Sequence, residues 1–399
     1  MKITRVECSV LQTPDASPHS VNTAHDNAVV QIFTDAGLTG IGEVESNPWV
    51  IKALIDASGS HSMDRGLGEI LVGQDPTQPA AVWERLYRQS LMTGRRGAGI
   101  NAIGALDIAI WDVYGKAAKQ PIWKLLGGSR RRVVTPYASL LPCGNTPDAY
   151  RESLLGKATW ARDAGFKAVK AEVMIKGPYA QPGLQESDEA IAQLVAECRR
   201  VVGSSVELMV DVGYCWSDWK DALKAIRRME RHNLFFVETP LATDDLEGYA
   251  RLSRSTDVRI AAGELLSTRF EFRDLLGAVD VLQPDVGRVG GITETMRIVE
   301  MAASRGKLVV PHCWKSAIGV AATAHVAAAS PNCPMIEFLP APVSDSRLRQ
   351  ELVLEELKVE NGTLSLPEQP GLGVDLNHHI MERFTVTWGH LEAGVQARV

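Results

Sequence analysis

The 399-residue sequence lacks the features that mark several protein classes. Its longest apolar run is well short of the ~20 residues that a membrane-spanning helix needs. It has no large basic block, and its net charge of −6 argues against a nucleic-acid partner. The six cysteines are scattered without a C-x-x-C pair, which argues against a disulfide framework and a zinc knuckle. The first residues carry charges where a signal peptide would be apolar, so we expect a cytoplasmic, reduced protein.

The composition is that of a soluble globular protein, with 45% hydrophobic and 23% charged residues. The length exceeds one ordinary core and favours two domains, or a barrel with a cap. Neither a linker nor a low-complexity segment divides the sequence, so its organisation has to be inferred from the pattern of apolar residues.

The first zone combines strands with helices. Apolar residues at 28–33 and 38–44, joined by an Asp-Ala-Gly turn, predict a β-hairpin. Residues 50–127 are predicted to be helical, and the segment 102–113 is apolar on most sides and therefore buried. A Leu-Leu-Gly-Gly run ends this zone. We place an α+β domain at 1–130.

Short apolar runs alternate with amphipathic helices through the middle of the chain. Eight runs at about 25-residue spacing predict a (β/α)8-type barrel, because parallel strands buried on both faces are continuously apolar. A doubly wound sheet would rarely need eight such even units. The runs are 133–140, 168–173, 206–211, 234–238, 258–262, 280–283, 308–312 and 335–338.

We place the barrel at 131–345, and the remaining segment, 346–399, follows it. Residues 354–364 and 371–374 have the pattern of strands and turns. We expect this segment to return to the N-terminal domain.

Acidic residues end three successive barrel runs. Asp211, Glu238 and Glu264 lie 27 and 26 residues apart, one βα unit each. Neighbouring strands are ~4.8 Å apart, so their carboxylates converge on one mouth of the barrel. Without a compensating positive charge the three carboxylates would repel one another. Mg²⁺, which prefers oxygen ligands, would supply that charge. The alternative is that each acid is a loop residue or helix cap.

The next three runs also carry polar residues at their ends. Asp285 and His312 lie one unit apart, so the carboxylate can accept an imidazole N–H and raise the basicity of the ring. A purely structural histidine is the alternative. Glu337 adds a carboxylate at the rim that can hydrogen-bond a substrate. At least five acids are thus expected at this mouth.

Two charged residues share one face of the second run. Lys170 and Glu172 are two residues apart and point to the same side of the strand. Lys170 can offset the negative charge of a substrate carboxylate or enediolate. The alternative is a structural pair of Lys170 with Glu172 or Asp211.

In this order and spacing, several motifs together resemble the enolase superfamily, of the mandelate racemase/muconate lactonizing enzyme type and its mandelate racemase subgroup. The resemblance covers nearly the whole chain. The motifs are NAIGALDIAIWD at 101–112, GFKAVK at 165–170, Asp211, VETP at 237–240, AGE at 262–264, QPD at 283–285 and PH at 311–312.

The resemblance implies that the α+β domain caps a barrel holding one Mg²⁺ and a small-molecule carboxylate substrate. A base would remove the proton next to the carboxylate, giving an enediolate that the metal stabilises. The positions matching family residues are the metal ligands Asp211, Glu238 and Glu264, the His312–Asp285 base, the rim acid Glu337, and Lys170 as the first lysine of a Lys-x-Lys motif. The family also implies a homo-oligomer, from dimer to octamer.

The second lysine of that motif is replaced by Glu172. A racemase generally needs a base on each face of the substrate, whereas His312 alone can serve a syn β-elimination as both base and acid. We therefore expect dehydration of an aldonate or aldarate to a 2-keto-3-deoxy acid. Racemisation or epimerisation with Glu172 or Lys170 as second base is the alternative. The third hypothesis is a non-catalytic relative that binds a metabolite.

Substrate contacts are expected from two capping loops, where family members place closing segments. His19 and Asn22 precede the hairpin, and Trp49 follows it. Arg95 or Arg96 would reach the far end of a polyhydroxylated acid. The loop 176–183 is long for a βα connection and is a further candidate.

Overall fold

The computed structural model describes residues 1–14, 22–59, 61–128 and 133–387. Its N-terminal sheet is antiparallel, in the order β1 (Ile3–Gln12), β2 (Asp26–Thr34) and β3 (Thr39–Val44). The β2–β3 hairpin was predicted and is confirmed. Gly37 takes a left-handed φ of 74° in its turn, a conformation that glycine adopts without a steric penalty.

Helices cover this sheet, and the longest is almost entirely buried. Gly40 and Gly42 permit its close approach, because a Cβ on either would lie 2.1 Å from a carbonyl oxygen of that helix. The predicted burial of 102–113 is confirmed. The helices of this zone are α1 (Pro48–Asp56), α2 (Leu67–Leu71), α3 (Pro79–Gln89), α4 (Leu91–Gly94), α5 (Ala98–Ala118) and α6 (Ile122–Leu125).

An eight-stranded parallel sheet follows and confirms the (β/α)8-type fold. After β4 (Val133–Val134), its strands and intervening helices are β5 (Pro136–Leu140), α7 (Pro147–Asp163), β6 (Ala168–Glu172), α8 (Asp188–Val202), β7 (Glu207–Asp211), α9 (Trp219–Met229), β8 (Leu234–Glu238), α10 (Leu246–Ser253), β9 (Arg259–Ala262), α11 (Thr268–Leu275), β10 (Val281–Leu282), α12 (Gly291–Ala303), β11 (Leu308–Val309), α13 (Ala317–Ala329) and β12 (Ile336–Phe338).

The sheet curls until its two ends meet. Strand β12 pairs with β5, and the amide N–H of Glu337 donates to the carbonyl of Pro311, just beyond β11, at 3.2 Å. The first predicted run does not form one strand. Its residues 133–134 form β4, which leaves the barrel to pair with the C-terminal hairpin.

The C-terminal segment returns to the N-terminal domain, as expected. It contains α14 (Arg347–Glu351), the hairpin β13 (Val359–Glu360) and β14 (Thr363–Ser365), and α15 (His378–Phe384). Strand β14 pairs with β4, and the Val386 amide donates to the Val10 carbonyl on β1. The domain boundaries at 130 and 345 stay predictions, and residues 388–399 lie outside the described part.

The capping domain is fixed to the barrel through the start of α12. Asp107 on α5 accepts from the backbone N and the hydroxyl of Thr293 at 2.9 and 2.7 Å. Trp111 donates to the same hydroxyl at 2.8 Å, and Trp83 donates to the Gly290 carbonyl at 2.7 Å. Buried polar groups are thereby paired across the interface. None of the helices in the described residues has the length and apolar character needed to cross a membrane.

Buried His325 on α13 joins α6 to the C-terminal segment. Its Nδ1 accepts from the Trp123 amide and its Nε2 donates to the Leu372 carbonyl, both at 3.1 Å. Burial lowers the pKa of this imidazole from 6.5 to about 4. Below pH 6.5 the unfolded chain therefore binds a proton that the native state does not, and stability is lost as the pH falls toward 4.

We predict a loss of about 2 kcal/mol from this group between pH 6.5 and 5. His325→Gln keeps one acceptor and one donor but does not titrate, so its urea midpoint should fall less between pH 7 and pH 5 than that of the wild type. Equal pH dependence of the two proteins would contradict the assignment.

Candidate active site

The three acids predicted at the barrel mouth lie together. Asp211 and Glu238 end β7 and β8, and Glu264 stands two residues beyond β9. One carboxylate oxygen from each lies within 4.8 Å of the others. In-register pairing of Asp211 with Glu238 produces this convergence, because parallel strands carry their carboxyl ends to the same edge.

Neutral donors hold one oxygen of each carboxylate. Asp211 Oδ1 accepts from the Gly213 amide at 2.9 Å and the Thr239 hydroxyl at 2.7 Å. Gln283 Nε2 donates to Glu238 Oε2 at 2.7 Å, and the Tyr214 hydroxyl donates to Glu264 Oε1 at 2.6 Å. These contacts fix one oxygen of each carboxylate. The other oxygens of Asp211 and Glu238 lie 3.4 and 2.9 Å from Lys170 Nζ, and that of Glu264 lies 3.5 Å from His312 Nε2.

Lys170 lies beneath these carboxylates and is fully buried. Its ammonium Nζ is 2.8 Å from Glu337, 2.9 Å from Glu238, and 3.4 Å from both Asp211 and Glu172. Burial opposes the charge, but the surrounding carboxylates raise the pKa of Lys170 well above its usual value. Both of the structural pairs considered from sequence are present, so this ammonium is already surrounded by acids of the protein.

His312 and Asp285 form the predicted pair. Imidazole Nδ1 lies 2.9 Å from Asp285 Oδ2, which orients the ring. Nε2 then faces the mouth, 3.5 Å from Glu264 and 3.8 Å from Glu337. Burial opposes protonation of the ring, but Glu337, Glu45 and the hydrogen bond to Asp285 raise the pKa of His312 to about 10.

Glu337 lies inside the barrel rather than at its rim. Its Oε2 accepts from the Cys313 amide at 3.0 Å, and its Oε1 accepts from Trp314 Nε1 at 2.8 Å. Burial opposes ionisation of Glu337, but Lys170 and His312 lower its pKa. This carboxylate is held ionised beside the imidazole.

Glu172, which replaces the second lysine, is also completely buried. Its Oε1 accepts from the Ser139 hydroxyl at 3.0 Å. Burial raises the pKa of Glu172 well above the usual range, Lys170 opposes that effect, and Asp211 adds to it. The side chain lies in the wall of the barrel, where burial favours its protonated form.

Two further charged residues were missed by sequence reasoning. Glu45, just beyond β3, has Oε2 3.7 Å from His312 Nδ1. Arg288 Nη2 contacts Glu45 Oε1 at 2.8 Å, and its backbone amide donates to Asp285 Oδ1 at 3.0 Å. Arg288 stands in a glycine-rich stretch after the sixth barrel run, where no acidic or histidine pattern marks it, and no spacing rule joins Glu45 to the barrel.

The expected substrate contacts fall in different places. Asn22 is buried, donates to Ser344 and Asp345, and lines a cavity of about 360 Å³ beside the ends of β5 and β12. Trp49, in the first turn of α1, lines a separate cleft of about 960 Å³. Arg95 is exposed just after α4. His19 lies outside the described residues, so these roles stay predictions.

Two family models match the chain. One describes the mandelate racemase/muconate lactonizing enzyme N-terminal domain and matches residues 3–127, and the other is enolase C-terminal domain-like and matches residues 154–380. The chain belongs to the mandelate racemase/muconate lactonizing enzyme family of the enolase superfamily. The resemblance seen in the sequence is thereby confirmed.

Several characterised members of this family are similar along most of their length. Arabinonate dehydratase of Saccharolobus solfataricus is 34% identical over 81% of this chain and 82% of its own. D-galactarolactone cycloisomerase of Agrobacterium fabrum is 29% identical over 96% of this chain and 99% of its own. L-talarate/galactarate dehydratase of Salmonella typhimurium is 30% identical over 88% of this chain and 80% of its own.

Solved structures of the family have the same fold. The 3,6-anhydro-D-galactonate cycloisomerase of Zobellia galactanivorans gives a TM-score of 0.83 at 29% identity, covering 97% of this chain and 100% of its own. A racemase of Streptomyces coelicolor with bound magnesium gives 0.81 at 27% identity, covering 96% and 100%.

The residues of this family member fit Mg²⁺. Asp211, Glu238 and Glu264 supply the hard oxygen ligands that Mg²⁺ prefers. Burial raises the pKa of Glu238 well above its usual value, with Lys170 opposing, so full ionisation of the cluster calls for added positive charge. Glu45, Asp285 and His312 also lie within 4.8 Å of one another, but Arg288 already neutralises that group.

We predict that Glu238→Gln weakens Mg²⁺ binding by at least about 10-fold, the loss that even outer partners of a metal site cause. The substitution removes a ligand charge but keeps the side-chain size. Isothermal titration with MgCl₂ measures the affinity. Glu197→Gln is the matched control, since Glu197 is a buried acid paired with Arg151 on the outer helices. Equal Mg²⁺ affinity of Glu238→Gln and the wild type would contradict the site.

Proposed function

We propose that this chain is a Mg²⁺-dependent dehydratase of a sugar acid, an aldonate or aldarate. The observation that carries the proposal is the arrangement of bases: one oriented imidazole, His312, faces the mouth, while Lys170 across the barrel is bonded to carboxylates. Such a site can remove a proton from one face of a substrate.

His312 acts first as the base. Asp285 holds Nδ1, and in the neutral ring the lone pair of Nε2 would take the proton next to the substrate carboxylate. A cation held by Asp211, Glu238 and Glu264 would offset part of the negative charge that raises the pKa of His312, and would so favour the neutral ring. The imidazolium then donates that proton to the departing β-hydroxyl on the same face. Water leaves, and the enol product tautomerises to a 2-keto-3-deoxy acid. Glu45 and Asp285 stabilise the imidazolium between the two steps.

The carboxylate cluster supplies the binding place for the acid group of the substrate. Asp211, Glu238 and Glu264 would hold Mg²⁺, which supplies positive charge for the substrate carboxylate and for the negative charge that develops on proton removal. Lys170 balances the inner oxygens of this cluster. Glu337, held by Trp314 and the Cys313 amide, lies where it can accept a hydrogen bond from the reacting acid.

Racemisation or epimerisation is the weaker candidate because a second base is hard to find. Lys170 is fully buried with a raised pKa, and its ammonium contacts four carboxylates. Glu172 is completely buried and is held by Ser139 within the barrel wall, where burial favours its protonated form. Neither group is placed as a free base toward the mouth.

The substrate class rests on the relatives and on the polarity of the mouth. Two of the similar proteins are dehydratases of arabinonate and of talarate or galactarate. The cavity beside β5 and β12 has a mixed lining, and its polar side chains, among them Asn22, Gln181 and Ser344, could hydrogen-bond a hydroxylated chain. Cytoplasmic location and a homo-oligomer, from dimer to octamer, belong to the same proposal.

His312→Asn should lower kcat by about 10²- to 10⁴-fold, the contribution of a general acid–base group, while Mg²⁺ affinity is kept. Steady-state kinetics and MgCl₂ titration measure the two quantities. His232→Asn is the matched control because His232 precedes β8 at the opposite end of the barrel. Retained turnover in His312→Asn would remove His312 from the base role.

A panel of aldonic and aldaric acids with Mg²⁺ tests the reaction itself. We expect one or more acids to give a 2-keto-3-deoxy product. Absence of product from every acid, together with exchange of the α-proton in D₂O, would contradict dehydration and favour an isomerase. Absence of both, with metabolite binding intact, would favour a non-catalytic relative.

A further inference from the structure

We propose that Tyr214 is a positioning residue that fixes Glu264 in the orientation required for cation binding. The inference rests on the proposed metal site and adds a residue to it. Tyr214 belongs to the loop after β7, whereas Glu264 belongs to the loop after β9. The tyrosine therefore spans the β8 position to reach its partner.

The backbone at Tyr214 is unusual for a tyrosine. Its φ is 59° and that of Gly213 is 54°, both left-handed. A non-glycine residue in this region costs about 1–2 kcal/mol, and such strain is typical of functional positions. Thr239, just after Glu238, is also left-handed at 47°.

The loops that contain Tyr214 and Thr239 are hydrogen-bonded to each other. The Tyr214 amide donates to the Thr239 carbonyl at 2.6 Å, and the Thr239 hydroxyl donates to Asp211 Oδ1 at 2.7 Å. The strained tyrosine is thus tied to the loops that carry both other acids, and its position is set relative to all three strands.

The hydroxyl of Tyr214 contacts Glu264, the one of the three acids whose side chain is least confined by packing. It donates to Glu264 Oε1 at 2.6 Å. The Glu264 side chain is 15% exposed, against 6% for Asp211 and 0% for Glu238, so packing confines it least. With Oε1 held by tyrosine, Oε2 faces His312 Nε2 at 3.5 Å.

The ring of Tyr214 is supported from the loop after β6. It packs on Tyr179 with the ring centroids 5.4 Å apart, and Tyr179 is 53% exposed. Gly213 allows the close approach of Met174 to this loop, because a Cβ there would lie 2.8 Å from the Met174 sulfur. The Tyr179 ring and the backbone bond to Thr239 do not depend on the phenol hydroxyl, so loss of the hydroxyl alone should leave the loop intact.

The test is isothermal titration of the metal-stripped full-length protein with MgCl₂. Tyr214→Phe should raise the Kd by about 10-fold or more, as for other outer partners of metal ligands. Tyr249→Phe is the matched control, since that buried phenol donates to the Leu241 carbonyl at 2.6 Å, and its Kd should equal that of the wild type. Circular dichroism checks that each variant is folded.

A double-mutant cycle separates positioning from general stability. In a Glu264→Gln background, Tyr214→Phe should add no further loss of Mg²⁺ affinity, because its effect acts through Glu264. A wild-type Kd in Tyr214→Phe, or an undiminished loss in the Glu264→Gln background, would overturn the inference alone. No Mg²⁺ binding by the wild type would overturn the proposed metal site as well.

Discussion

The site depends on one constraint: it buries many carboxylates and has few cations to balance their negative charge. Lys170 and Arg288 are permanent cations that contact them within the described residues. Burial of acids without compensation would force protonation or unfolding. The seven carboxylates of the mouth and its wall are Glu45, Glu172, Asp211, Glu238, Glu264, Asp285 and Glu337.

Different parts of the fold relieve this excess in different ways. Lys170 offsets the negative charge of the carboxylate oxygens that face the interior of the barrel. Arg288 and His312 offset the charge of the acids beside the capping domain. Neutral donors such as Gln283 form hydrogen bonds to carboxylate oxygens that no cation contacts. The cluster of Asp211, Glu238 and Glu264 has the least compensation, and in the proposed function a divalent cation would neutralise it and would bind the acid group of the substrate.

The periodicity of the sequence was sufficient to predict the barrel and the residues at its strand ends. Parallel strands bring their carboxyl ends together whatever the sequence of the intervening helices. It was insufficient where partners meet across domains or through irregular loops. Glu45 reaches His312 from the capping sheet, and Tyr214 reaches Glu264 through a left-handed turn. The first run was predicted as one strand because apolar character continues through 133–140, whereas pairing with β14 divides it.

In the proposed site the uncompensated negative charge lies at Asp211, Glu238 and Glu264. A crystal of the protein grown with Mn²⁺ in place of Mg²⁺ allows the cation to be located by its anomalous scattering. We predict one strong peak among these three carboxylates. A peak between Glu45, Asp285 and His312, or none among the three strand-end acids, would contradict it.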